Sequence, residues 1–139
     1  MIILDTDVLS DLMRPARDPA VVGWLDQQSR FSVWSTSITV LEIRFGIALL
    51  PFGARRTQLE QAFERTVEEK IEERIVPFDT IAAEATAILM AERRQRGSPG
   101  ELRDTMIAGI AIARRATLAT RNRRHFADLP VSVVNPWMD

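Results

Sequence analysis

The sequence predicts an α/β sandwich built around a mostly parallel sheet. Two observations lead to this fold class. Short apolar runs alternate with longer segments of helical spacing, which is the pattern of strands joined by helical crossovers. The first run, Ile2 to Leu4, is continuously apolar, as is usual for a strand buried on both faces of a parallel sheet. From 139 residues and 46% hydrophobic content we expect one domain over residues 1–139.

The candidate strands are short apolar runs that recur along the chain. They are residues 2–4, 31–34, 75–78, 117–119 and 131–134. The carboxyl ends of parallel strands share one edge of the sheet, and sites in open α/β sheets form outside that edge. The polar residue that follows each run is therefore a candidate site residue.

The predicted helices are the segments in which apolar residues recur at helical spacing. They centre on residues 8–12, 21–25, 40–47, 55–74, 81–96 and 102–114. Segment 55–74 is predicted to be one long polar helix or a helix pair, with its charged end as a solvated face. Residues 97–100, Gly-Ser-Pro-Gly, mark a turn between the last two helices.

The charge of the chain is nearly balanced, at a formal net −1, so no global positive field marks a nucleic-acid binder. Residues 80–139 are locally basic, with nine arginines against six acidic residues. Arginine suits phosphate oxygens, although arginines on solvated helix faces also simply favour solubility. Any basic surface is therefore expected in this half.

Cysteine is absent, which excludes disulfides, thiolate metal sites and a cysteine nucleophile. No apolar run approaches the roughly 20 residues that span a bilayer, and no basic segment precedes the first apolar residues. We expect a cytoplasmic protein without a membrane association.

Asp5 directly follows the first apolar run and precedes a helical segment. This position suits a ligand at the carboxyl end of a central strand, and it equally suits a helix N-cap. Asp7 and Asp11 are predicted to be first-turn residues, where acids favour the helix dipole.

Glu42 lies in Thr39-Val40-Leu41-Glu42, which matches a capping box. A cap at Ser35, Thr36 or Ser37 would instead start the helix earlier and place Glu42 in a later turn. Both interpretations of Glu42 remain open from the residues alone.

Asp104 continues the apolar stripe of its helix, because Ile107, Ala108, Ala111 and Ile112 stand at helical spacing from it. A carboxylate that faces a core is costly unless it is paired or bound to a metal. An N-cap role for Asp104 is the alternative, since it lies near the predicted helix start.

Three carboxylates that converge at one sheet edge repel one another unless a cation lies between them. Oxygen ligands suit magnesium or manganese, whereas zinc favours histidine or cysteine. The chain has one histidine and no cysteine. Asp5, Glu42 and Asp104 are therefore the predicted ligands of Mg²⁺, for which Mn²⁺ can substitute.

Four motifs in order resemble those of the PIN-domain ribonucleases, in particular toxins of the VapC and FitB type. Residues 3–10 resemble the first motif, usually an apolar run followed by Asp-Thr-Asn-Val, and residues 37–43 with Gly46 resemble the second. Residues 104–108 resemble the third motif, and residues 117–122 the fourth, a strand followed by Thr-x-Asp or Thr-x-Asn. Residues 133–137 are similar to the ending of the FitB-like branch.

The resemblance implies a PIN-like three-layer α/β/α sandwich with metal-binding acids at Asp5, Glu42 and Asp104. It also implies a ribonuclease toxin that cleaves RNA, forms a homodimer and is inhibited by a cognate antitoxin protein. The fourth catalytic position falls on Asn122, where the fully acidic pattern has a carboxylate. Asparagine offers an oxygen without charge, so Asn122 is either a water-orienting residue or a turn residue after a strand.

His125 is the only histidine, and neighbouring arginines disfavour its protonation. We expect it to have a surface or packing role, with a general base as the alternative. Trp24, Trp34 and Trp137 are predicted to be core or interface residues.

Two other functions fit parts of the sequence. The start Asp5-Thr6-Asp7 also fits a haloacid-dehalogenase-like phosphatase, but such enzymes need a downstream lysine and the only one is Lys70. A degenerate PIN domain that binds RNA or a partner without cleavage is suggested by Asn122.

Overall fold

The structure is a computed structural model that describes residues 1–139. Its strands are β1 (Ile2–Leu4), β2 (Val33–Thr36), β3 (Ile75–Val76), β4 (Thr117–Ala119) and β5 (Val133–Val134). Its helices are α1 (Thr6–Met13), α2 (Pro19–Asp26), α3 (Ser37–Ala48), α4 (Ala54–Lys70), α5 (Thr80–Gln95) and α6 (Leu102–Arg114). Short 3-10 turns lie at Arg30–Ser32 and Arg123–Phe126.

The five strands form one parallel sheet in the order β3-β2-β1-β4-β5. The central strand β1 pairs with β2 on one side and with β4 on the other. Successive side chains of a strand point to opposite faces. Ile3 therefore lies in the core formed with α5 and α6, and Leu4 in the core formed with α1, α2 and α4. The predicted three-layer α/β/α sandwich around a parallel sheet is confirmed.

Helices α5 and α6 pack at very short range, and this packing fixes the position of α6. A Cβ atom on Gly109 of α6 would lie 1.8 Å from Thr86 Oγ1 of α5. Only glycine allows the two helices to approach so closely at this point.

Arg93 of α5 is buried and joins three parts of the chain. Its guanidinium donates to both carboxylate oxygens of Asp128 at 2.9 Å, to Thr105 Oγ1 at 3.1 Å and to the carbonyl oxygen of His125 at 2.9 Å. As one of the nine arginines of residues 80–139, Arg93 was grouped with side chains available to solvent or phosphate. That grouping is wrong for Arg93, which instead holds the start of α6 against the segment after β4.

Several predicted boundaries differ from the structure. Strand β2 begins at Val33 rather than at residue 31, because residues 30–32 form a 3-10 turn. Helix α4 is a single helix that ends at Lys70 rather than at 74, and Glu72 and Glu73 have φ angles of 49° and 61°. Strands β3 and β5 are shorter than predicted.

Asp11 was expected in the first turn of its helix, but it lies in the last turns of α1 and is buried. Its carboxylate accepts the Asp18 backbone N–H at 3.1 Å and pairs with Arg14. Asp11 therefore stabilises the turn after α1.

None of the helices combines the length and the apolar character that crossing a bilayer requires.

Candidate active site

Asp5 lies where β1 meets α1, at the carboxyl edge of the sheet. One carboxylate oxygen caps α1 by accepting the Thr6 backbone N–H at 2.8 Å, and the other accepts the Thr120 hydroxyl at 2.7 Å. The residue is only 5% exposed. Burial, with the negative charge of Asp7 adding to it, raises the pKa of Asp5 to about 7. The cap interpretation is thus confirmed. The same carboxylate also lies among the polar side chains at the carboxyl edge of the sheet, which we call the polar edge.

Asp7 occupies the first turn of α1, as predicted. Its Oδ2 accepts the Arg121 backbone N–H at 3.0 Å and lies 3.5 Å from the amide nitrogen of Asn122. Its Oδ1 is buried and accepts no hydrogen bond. Burial raises the pKa of Asp7, and the charge of Asp104 acts in the same direction.

Asp104 lies in the first turn of α6 but does not cap it. Glu101 is the N-cap, and its carboxylate accepts the Asp104 backbone N–H at 2.9 Å. The capping alternative for Asp104 is therefore wrong. Burial raises the pKa of Asp104, Glu101 adds to this effect, and His125 and Arg103 oppose it. The Nδ1 atom of His125 lies 3.8 Å from Asp104 Oδ2.

Glu42 is in the second turn of α3, because Thr36 caps this helix by accepting the Thr39 backbone N–H at 3.1 Å. The capping box at Thr39 is therefore wrong, and the earlier start is correct. One Glu42 oxygen accepts the Thr6 hydroxyl at 2.8 Å, and the other lies 4.0 Å from Arg103 Nε. Glu42 thus faces α1 and α6 rather than its own helix start.

Asn122 follows β4 and is exposed. Its backbone N–H donates to Thr120 Oγ1 at 3.1 Å. Its side-chain amide lies next to the Asp7 carboxylate, so Asn122 contacts the polar edge through Asp7.

Asp5, Asp7 and Asp104 lie close enough at this edge for their negative charges to affect one another. The charges of Asp7 and Asp104 both raise the pKa of Asp5. Glu42 stands apart from them, beside Thr6 and Arg103. The carboxylates do not form a closed ligand set, since no group of three acidic or histidine side chains is arranged closely enough to hold one metal ion.

The donor chemistry of this edge still fits a hard dication. All its donors are oxygens, which suit magnesium or manganese. Burial of Asp5 and Asp7 beside Asp104 disfavours three negative charges, and the unpartnered Asp7 Oδ1 is a free acceptor. A bound dication would offset these negative charges and would give Asp7 Oδ1 a partner.

A polar cavity of about 360 Å³ lies beside Asp104. Arg96, Arg124 and His125 are among its lining residues. His125 is 58% exposed, which agrees with a surface position. Positive side chains thus lie directly next to the acidic edge, as recognition of a phosphate backbone requires.

The three tryptophans are partly buried against the two cores, as predicted. Trp34 packs in the α5 and α6 layer, whereas Trp24 and Trp137 pack in the other. The guanidinium of Arg121 lies 4.8 Å from the centroid of the Trp137 ring.

Some residues at this edge were not singled out by the sequence analysis. Asp7 was assigned to the helix dipole or, in the phosphatase alternative, to the Asp-x-Asp start, although its spacing of two from Asp5 was a signal that it lies at the same strand end. Thr6 and Thr120 belong to the first and fourth motifs, but no contact was predicted for them, and Arg103 carried no signal because arginine on a helix is common.

Comparison with known proteins gave consistent matches over the whole chain. A family model described as PIN domain matches residues 2–131. The VapC ribonuclease Y4jK of Sinorhizobium fredii is 37% identical over 137 residues, which cover 99% of this chain and 98% of that protein. The toxin FitB of Neisseria gonorrhoeae is 36% identical over 139 residues, covering 100% of both.

Solved structures show the same fold. The crystal structure of FitAcB from Neisseria gonorrhoeae superposes with a TM-score of 0.87 at 35% identity, covering 100% of both chains. A FitAB complex bound to a DNA fragment gives the same TM-score and identity, covering 100% of this chain and 97% of that one.

Proposed function

The chain belongs to the PIN-domain family, and from this premise we propose that it is a magnesium-dependent endoribonuclease that cleaves RNA with metal-activated water. The observation that carries the proposal is that the buried Asp5 and the half-buried Asp104 meet although they come from distant parts of the chain. Asp5 follows β1 and Asp104 begins α6, and the charge of one acts on the other. Such an arrangement has a chemical use when a dication is bound.

We assign Asp5, Glu42 and Asp104 as the residues that hold Mg²⁺ or Mn²⁺. When bound, the ion activates water and offsets charge on the phosphodiester. The chain itself orients the carboxylates. The Thr6 N–H and Thr120 hydroxyl fix Asp5, and the Thr6 hydroxyl donates to Glu42. The Asp104 carboxylate can bind a metal without loss of the helix cap, because Glu101 caps α6.

Arginines beside the acidic edge are the proposed contacts for the RNA backbone. Arg124 and Arg96 line the cavity next to Asp104. Each contact to a phosphate releases counterions, so RNA binding should weaken as salt increases. If these arginines instead serve only solubility, RNA binding should not depend on the salt concentration.

A cleavage assay on single-stranded or looped RNA tests the function directly. We expect cleavage in Mg²⁺ that stops with a chelator and resumes with Mg²⁺ or Mn²⁺. The family resemblance implies products with a 5′-phosphate and a 3′-hydroxyl, which end-labelling would identify. Metal-independent cleavage that leaves a 2′,3′-cyclic phosphate would show that the proposed chemistry is wrong.

The second candidate function is a PIN domain that binds RNA or a partner without cleaving it. Asn122, which lacks a charge, is the observation in its favour. Salt-dependent RNA binding without cleavage in Mg²⁺ or Mn²⁺ would establish it. The phosphatase alternative is excluded by membership of the PIN-domain family.

We also propose that the chain is the toxin of a bacterial toxin-antitoxin pair and forms a homodimer, as its similarity to FitB suggests. A groove of about 580 Å³ runs between α1, α3 and α4 and reaches Glu42 and Arg103. Next to it, α3 and the following loop expose four large apolar side chains, Leu41, Phe45, Leu49 and Phe52. An antitoxin tail across residues 40–65 would cover them and bring an arginine or lysine to the acidic edge, where it competes with the metal.

The variant Phe45→Glu tests this surface. It should release the nuclease from inhibition by the purified antitoxin at least about tenfold, because a charge on the apolar face must be desolvated on binding. Cleavage by the free variant should be unchanged. Phe31→Glu is the matched control, since Phe31 is 75% exposed in the 3-10 turn that precedes β2. If the antitoxin inhibited Phe45→Glu as strongly as it inhibits the control, the proposed surface would be wrong. Light scattering tests the homodimer separately, and it should give two toxin copies per complex.

A further inference from the structure

Asp7 is an acidic residue at the carboxyl edge that the proposed ligand set leaves without a role. Its Oδ2 accepts the Arg121 backbone N–H at 3.0 Å and faces the Asn122 amide at 3.5 Å. Its Oδ1 has no hydrogen-bond donor although it is buried. It is the only buried side-chain nitrogen or oxygen without a partner in the protein.

A buried carboxylate oxygen that accepts no hydrogen bond is costly, since it has lost water without gaining a hydrogen bond from the protein. The surroundings of Asp7 increase the cost, because Asp5 lies two residues away and Asp104 adds a further negative charge. The positive charge of Arg121 and the Val8 backbone N–H offset part of this cost, although the Arg121 guanidinium itself lies over the Trp137 ring. A helix dipole alone would be served by an exposed acid in the first turn, so it does not explain the burial of this oxygen.

The neighbouring amide explains how Asp7 is held. Asn122 places its amide nitrogen towards Oδ2 of Asp7, and Arg121 donates its backbone N–H to the same oxygen. Both donors act on one oxygen and leave Oδ1 free. A carboxylate fixed in this way through one oxygen presents the other as an acceptor at a constant position.

We propose that Asp7 supplies the fourth negative charge of the metal centre and that Asn122 acts through it, as a positioning residue that holds the Asp7 carboxylate. The proposal rests on the proposed function, because it assumes a dication held by Asp5, Glu42 and Asp104. Asn122 then needs no charge of its own. This assignment also limits what an extra acid at position 122 can add, since the fourth charge is already present.

Calorimetric titration of Mn²⁺ into the metal-free protein tests the proposal without an activity measurement. Asp7→Asn should weaken Mn²⁺ binding about tenfold to 100-fold, the usual effect of losing a supporting carboxylate at a metal site. Asn122→Asp alone should change the affinity by less than about threefold, because a fifth carboxylate adds repulsion as well as attraction. The exchange variant, Asp7→Asn with Asn122→Asp, should recover most of the lost affinity because it restores the number of charges.

Asp26→Asn is the matched control, since Asp26 is exposed at the end of α2; it should bind Mn²⁺ as the wild type does. The asparagine at position 7 keeps an oxygen for the Arg121 N–H, so the fold should persist. The melting temperature of the metal-free Asp7→Asn protein should not fall below that of the wild type.

The possible results distinguish a failure of the role of Asp7 from a failure of the proposed metal-dependent function. Wild-type protein that binds no Mn²⁺ would overturn both the metal-dependent function and the role of Asp7. Wild-type binding with an equal affinity in Asp7→Asn would overturn the role of Asp7 alone. Failure of the exchange variant to recover affinity, with Asp7→Asn weakened and folded, would overturn the assignment of Asp7 as a source of charge.

Discussion

Asp104→Asn should lower RNA cleavage about 100-fold or more, because it removes a charge from the proposed metal centre, where the bound ion contributes several kcal/mol to the transition state. The substitution keeps the shape of the side chain. It also leaves the cap of α6 in place, since Glu101 provides that cap. A loss of activity would therefore reflect the loss of charge rather than unfolding of α6.

The control for Asp104→Asn is Glu84→Gln, which removes one negative charge from an exposed position on α5. It should cleave RNA at the wild-type rate. Initial rates of the three proteins at saturating Mg²⁺, with circular dichroism to confirm folding, give the comparison. If Asp104→Asn retained full activity, Asp104 would have no part in the reaction.

Asp5→Asn should make the metal-free protein more stable above pH 7 by up to about 4 kcal/mol, which corresponds to the rise of the Asp5 pKa to about 7. Burial and the neighbouring aspartates raise the pKa of Asp5 to about 7 in the folded protein, against about 3.9 in an unfolded chain. Between these values the folded state holds a proton that the unfolded state has lost. Stability therefore falls as pH rises from about 4 to about 7, by at most about 1.4 kcal/mol per pH unit from this group.

The asparagine at position 5 removes this dependence and keeps an acceptor oxygen for one of the two native donors. Asparagine is a good N-cap, and its oxygen can accept from the Thr6 N–H or the Thr120 hydroxyl. Urea unfolding in the presence of a chelator at pH 5 and pH 8 measures the effect. Wild-type stability should fall between these pH values, and the fall should be much smaller for Asp5→Asn.

Other groups do not obscure this window. The pKa values of Asp7 and Asp104 are also raised, and they add a fall of the same sign. The pKa values of Asp128 and Glu101 are lowered, Asp128 mainly by its hydrogen bonds to Arg93 and Glu101 by the backbone N–H groups at the start of α6. Their contributions are lost only as pH falls below about 4. Equal stability changes in wild type and Asp5→Asn from pH 5 to pH 8 would contradict the burial of a protonated Asp5.

The elements with the strongest local signals were predicted at their correct positions. Strand β1 was recognised because three apolar residues precede an acid, and α6 because its apolar stripe runs without interruption. Boundaries set by tertiary packing were missed. Phe31 is as apolar as a strand residue but is exposed in a 3-10 turn, and α4 ends where Ile71 enters the core.

The N-cap of α3 is another feature that tertiary structure, rather than local sequence, decides. Thr36 and Thr39 have the same side chain and both precede helical residues, so local sequence did not distinguish them as the start of α3. The pairing of Thr36 with Val76 extends β2 to that residue, and the helix begins directly after it. Glu42 consequently lies one turn later and faces Thr6.

By itself, the sequence determined that acids follow buried strands, that α/β layers form and that the basic residues gather in the second half. It did not determine which polar residues meet. Asp5 contacts Thr120, and Asp7 contacts Asn122, through a sheet in which β1 and β4 pair although more than a hundred residues separate them. Only the tertiary structure decided this, because the parallel pairing of strands brings their carboxyl ends together irrespective of distance along the chain.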